Sequence, residues 1–176
     1  ETKKLSAHVD RILEAALTEE KNTRAERVEL KPVIEQSITH CHSTLESLNG
    51  KIVLDMPDAI TVKAGAAKLG YVIDNLLDNA VKYSPDGPDI AVKVSVAAKE
   101  VTISVSDKGI GISKGDQKLI FDKFHRVHTG NRHDVKGFGL GLSFVKNTVE
   151  SWGGRVWVES ETGKGSTFVV VLKRDE

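Results

Sequence analysis

The stretch NLLDNAVKYS, Asn75 to Ser84, sets two asparagines four residues apart in an otherwise apolar segment with a basic end. Four residues is about one helical turn, so Asn75 and Asn79 project from one face. Asparagine prefers caps and turns to helix interiors, so such a pair points to something polar being held there. Around it, Leu69, Val72, Ile73, Leu76, Leu77 and Ala80 recur with helical spacing. They predict a helix from about Ala64 to Tyr83, ended by Ser84-Pro85-Asp86-Gly87.

Downstream, DIAVKVSVAAKEVTISVSD alternates apolar and polar residues about Lys99-Glu100, the pattern of a half-buried antiparallel hairpin ending at Asp107. From Gly111 to Gly137 the chain is polar and basic, with only LIFDKFHRV apolar enough to pack, and reads largely as a long mobile loop. A further helix, LGLSFVKNTVESWGG, then leads to two strands, RVWVES and STFVVVLK, joined by Glu161 to Gly165. Upstream, a short strand is expected at Val28 to Leu30. A helix follows with Pro32 in its first turn and a stop at Asn49-Gly50, and then the strand KIVLDMP. Leu5, Val9, Ile12 and Ala16 form the stripe of an amphipathic helix stub, followed by a charged linker. The expected fold is therefore α+β, a two-layer α/β sandwich with one mixed sheet under about three helices and an N-terminal helix stub. Two units are expected: residues 1–22 as helix end and linker, and residues 23–176 as the main domain.

With 176 residues and 39% hydrophobic content, the chain can build one good core. Zero formal net charge argues against nucleic acid as the main partner. A single cysteine, Cys41, rules out an internal disulfide and fits a reducing compartment. No apolar run approaches the roughly 20 residues that span a bilayer. The chain begins inside a helical pattern without methionine, which reads as a fragment of a longer protein.

Three glycine-rich turns punctuate the layout: DKGIGI (Asp107 to Ile112), GFGLGL (Gly137 to Leu142) and GKGSTF (Gly163 to Phe168). Glycine lets backbone N–H groups approach a ligand closely. GKGST looks like half of a P-loop but lacks the upstream glycine spacing and the strand-to-helix context. Taken in order with the asparagine helix, these stretches closely resemble the catalytic and ATP-binding domain of bacterial sensor histidine kinases, the Bergerat-type ATP fold, over roughly Val28 to Lys173. The stub then resembles the end of the second dimerisation helix.

The resemblance implies ATP and Mg²⁺ as cofactors and assigns roles. Asn79 is the magnesium ligand, Lys82 neutralises phosphate, and Tyr83 packs or hydrogen-bonds beside it. Asp107 accepts from the adenine amino group while Gly109, Gly111 and Ile112 let the base lie against the chain. Arg126 in the loop, Gly137, Gly139, Leu140 and Gly141 at the next helix start, and Thr167 complete the nucleotide set. Phe121 and Phe124 are expected to share a face and seat the loop. One departure is Phe138, where many relatives carry a small hydroxyl residue.

Asn75 decides the chemistry among these implied roles. Related Bergerat ATPases carry a glutamate there to activate water, and an amide cannot serve as that base. Asn75, Asn79 and Lys82 are thus the catalytic set of a protein-histidine kinase that spares ATP from water and passes its γ-phosphoryl to a histidine. That histidine belongs to an upstream dimerisation domain, since His8 lacks the acidic and proline context of the acceptor. The implied partners are this dimerisation domain and a response regulator receiver domain. The implied setting is the cytoplasmic part of a homodimeric, membrane-attached sensor of the inner membrane. His125, His128 and His133 read as solvated loop residues rather than a zinc set. Alternatives are an ATPase or serine-directed kinase of the same fold, or a non-catalytic nucleotide-sensing module.

Overall fold

The computed structural model describes residues 25–127 and 139–175. In chain order these form β1 (Glu26–Glu29), α1 (Leu30–Ser47), β2 (Lys51–Asp55), β3 (Thr61–Ala64), α2 (Ala66–Lys82), β4 (Asp89–Ala97), β5 (Glu100–Asp107), α3 (Gly141–Ser151), β6 (Arg155–Glu161) and β7 (Gly165–Lys173). A short 3-10 turn at Asp116–Lys118 precedes α3. The main sheet has five strands in the order β2-β4-β5-β7-β6. Only β2–β4 is parallel there, so the sheet is mixed, as the sequence implied.

Strand alternation decides which residues meet the helices. Ile90, Val92 and Val94 of β4, Val101, Ile103 and Val105 of β5, and Phe168, Val170 and Leu172 of β7 are all buried in one core cluster. Against them lie Leu69, Val72, Ile73, Leu76, Leu77 and Ala80 of α2, Leu30 and Ile34 of α1, and Val145 and Val149 of α3. Burying each such large side chain is worth about 1.5–3 kcal/mol. The apolar stripe of α2 thus pins that helix and fixes the direction of its polar flank.

The other face of the sheet is tied differently. Arg155 of β6 donates to both carboxylate oxygens of Glu100 on β5, at 2.6 and 2.9 Å. In register, Arg155 faces Val171 and Glu100 faces Lys173. The ion pair therefore crosses β7 next to Val171, which is buried outside the main core cluster.

Several expectations need correction. The first strand ends at Glu29, and Leu30 opens α1 as a buried residue. β3 was not foreseen; it pairs antiparallel with β1, Val28 opposite Val62, and so delays α2 to Ala66. The expected mobile loop is anchored through Val127. Gln117 Nε2 donates to the carbonyls of Ile112 and Ser160, Ile120 is buried, and Phe121 meets Phe168 edge-on. Phe124 does not share that seat: its φ of 64° turns it outward, and it is 67% exposed. The stub, the boundary near residue 22, His128, His133, Gly137 and Phe138 lie outside the described residues.

Candidate functional site

The site gathers where the C-terminal half of α2 meets the end of β5 and the start of α3. Asp107 ends β5 in the same inward-facing row as Val105, so its carboxyl sits at the rim of the core, 8% exposed. Its Oδ1 accepts the Gly109 N–H at 2.8 Å. Burial pushes its pKa up, opposed by N–H groups of Gly109 and Ser166 that favour the charged form. The backbone closes tightly around it. A Cβ on Gly109 would collide with the Tyr83 carbonyl oxygen, which also accepts the Ile110 N–H at 3.0 Å. Gly111 has φ 70° and abuts the Glu161 carbonyl, so only glycine fits. The Ile112 N–H donates to Ser160 Oγ at 2.8 Å, fastening this loop to the end of β6.

The polar flank of α2 supplies the other half. Asn75 Nδ2 donates to the Tyr71 carbonyl at 2.7 Å, which turns its Oδ1 toward Gly141, where a Cβ would overlap it. The Asn79 side-chain amide has no hydrogen-bond partner among the described residues, so its oxygen is available to a hard cation. Lys82 is paired with Asp78 one turn back. Both are partly exposed, and such pairs exchange at little cost. At the start of α3, Leu140 provides no side-chain cap and the first turn holds no acidic residue. Its N–H groups therefore suit an anion. Gly139 packs against the His125 carbonyl, 2.7 Å from where its Cβ would be, and its own carbonyl accepts the Phe124 N–H.

Two expected residues sit differently. Thr167 pairs with Ser106 on the opposite face of the sheet from Asp107, and their hydroxyls bond each other at 2.9 Å. Ser166, not Thr167, pairs with Asp107 and is buried on its face of the sheet. Counting back two from the inward Phe168 would have found it. His125 is not a solvated loop residue: its Nε2 is shut from solvent, 3.4 Å from Asp116 Oδ1. Arg126 is exposed at the edge of the described segment. Among the described residues no cluster of His, Cys, Asp and Glu could hold a metal.

Residues 64–176 match the family model described as histidine kinase-, DNA gyrase B- and HSP90-like ATPase. The chain belongs to this family. The relatives it matches include the sensor protein RprX of Bacteroides fragilis, 38% identical over 98% of this chain and 34% of that protein. The sensor histidine kinase WalK of Bacillus subtilis is 37% identical over 72% of this chain and 21% of that protein. The chain thus spans about a third or less of these two relatives. Among solved structures, the mycobacterial sensor histidine kinase MprB superposes with a TM-score of 0.75 at 26% identity, covering 85% of this chain and 97% of that one. Family match, relatives and fold agree on an ATP-binding domain of the sensor histidine kinase type.

Proposed function

We propose that this domain binds Mg-ATP between α2, the Asp107 loop and the start of α3, and donates the γ-phosphoryl to a histidine of a dimerisation domain. The observation that carries the kinase reading over an ATPase is Asn75. Its amide is locked between the Tyr71 carbonyl and Gly141, and it offers no base to a water. Asp107 accepts from the adenine amino group, and the close backbone packing of Gly109 against Tyr83 and of Gly111 against Glu161 fixes the loop that presents it. Asn79 Oδ1 would hold the magnesium ion, which would supply charge neutralisation to the phosphates. Lys82 exchanges Asp78 for a phosphate oxygen, and N–H groups of Leu140 and Gly141 at the α3 start take another. Phosphoryl transfer asks mainly for this positioning and neutralisation.

We place the phosphoryl acceptor on the dimerisation domain of a homodimeric sensor and its onward partner in a response regulator receiver domain. We also place this domain on the cytoplasmic side of a membrane-attached sensor; among the described residues no helix is long and apolar enough to cross a membrane. Calorimetric titration with ATP, with and without Mg²⁺, alongside a steady-state phosphate-release assay, tests the reading. Binding that strengthens with Mg²⁺, with negligible turnover, is expected. No Mg-dependent binding, or multiple turnover into water, would overturn it.

A further inference from the structure

Ser84 follows the cap of α2 and is 4% exposed, and its hydroxyl oxygen is closed off from solvent without a hydrogen-bond partner. Buried hydroxyls in folded domains are almost always bonded, so an orphan calls for an explanation. Its surroundings give one. The point where a Cβ on Gly109 would lie is 2.8 Å from Ser84 Oγ and 2.8 Å from Asp107 Oδ1, so hydroxyl and carboxyl flank the same missing side chain. Neutral backbone N–H groups of Gly109 and Ser166 are the donors that Asp107 already has. The adjacent ammonium, Lys108, is turned away to Asp89 at 2.7 Å.

We propose that Ser84 is a positioning residue for base recognition. When the base engages Asp107, the Ser84 hydroxyl donates to that carboxylate after a small shift of either side chain. This fixes the carboxylate's remaining lone pairs on the base's exocyclic amino group. The inference rests on the reading of Asp107 as the adenine acceptor. A donor to the charged form also favours ionisation, so the hydroxyl's loss has a signature that a packing defect lacks.

The test is the carboxyl ¹³C titration of Asp107 in the chain with ADP and Mg²⁺, together with affinities for ATP and GTP. Three variants, Ser84→Ala, Ser84→Thr and Asp107→Asn, are compared. Ser84→Ala is expected to move the Asp107 titration upward by about one pH unit, the worth of one charge-assisted hydrogen bond. It should also weaken ATP about tenfold while leaving GTP, which lacks the 6-amino group, unchanged. Ser84→Thr restores both. An unmoved titration and an unchanged ATP-to-GTP ratio in Ser84→Ala overturn the inference. Full ATP affinity in Asp107→Asn would instead overturn the adenine assignment on which it stands.

Discussion

Asp107–Ser166 and Ser106–Thr167 are neighbouring cross-strand pairs, one register step apart on β5 and β7. The first points into the helix layer, where Asp107 is buried against backbone donors and its pKa is raised. The second points to the open face, where two hydroxyls satisfy each other at 2.9 Å. Similar short polar residues thus have opposite fates through the twofold period of a strand. Membership of the site is set by register before chemistry.

The largest effect expected from that geometry is at Gly165, which begins β7 at φ 103° and where an added Cβ would overlap the Asp107 carbonyl. Gly165→Ala should cost roughly 3 kcal/mol or more in denaturant unfolding, from strained backbone plus overlap. Gly163, at φ 83° in the same turn with open space around it, should cost only about 1 kcal/mol on the same change, for backbone strain alone. Equal losses at the two positions would mean that the close approach to Asp107 carries no weight.

Next comes the contrast between the two pairs in binding. Asp107→Asn should weaken ATP by about 1.5–3 kcal/mol, the loss of a charge-assisted acceptor. Thr167→Val should leave ATP affinity unchanged, because its hydroxyl is across the sheet. A calorimetric titration in which Thr167→Val is the more damaging would reverse the assignment of faces.

A smaller coupling is expected across the helix junction, where Asn75 Oδ1 and Gly141 touch. Gly141→Ala alone should destabilise the domain, and Asn75→Ala should relieve part of that loss, giving an interaction energy of about 1 kcal/mol in a double-mutant cycle. Strict additivity would show that the two residues do not pack as described.

The smallest expected effect is the pH dependence of stability without nucleotide. Because the folded pKa of Asp107 is raised, its favourable contribution is complete below the unfolded value and is lost as pH rises through the folded one. Asp107→Asn should therefore show a shallower loss of stability than the parent as pH rises from about 3 across the carboxylate range. Parallel curves for the two proteins would indicate that burial does not perturb this carboxyl.

What the sequence disclosed follows from how local each signal is. The α2 stripe and the β4–β5 hairpin repeat over many residues, so their periods are visible in one dimension. β3 spans only Thr61–Ala64, too short for a period, and is recognisable through its pairing with β1. Asp78 and Lys82 stand at helical spacing, so their ion pair was available to a closer reading. His125 was not: its enclosure depends on Asp116 in the 3-10 turn, a contact that loop composition does not announce. The asparagines and glycine turns marked the site's parts, while the close packing of Gly109 against Tyr83 and the orphan hydroxyl of Ser84 exist only once α2 and β5 meet.

The destination of the γ-phosphoryl separates a histidine kinase from an ATPase of the same fold. The chain is incubated with γ-labelled ATP and Mg²⁺, alone and with a separately produced histidine-bearing dimerisation domain, and phosphate is assayed for acid lability and base stability on each polypeptide. Phosphohistidine is expected on the added domain, formed slowly because the reaction is bimolecular without a tether, and abolished by Asn79→Ala. Steady release of labelled phosphate into water with no phosphohistidine on the added domain would contradict the kinase reading.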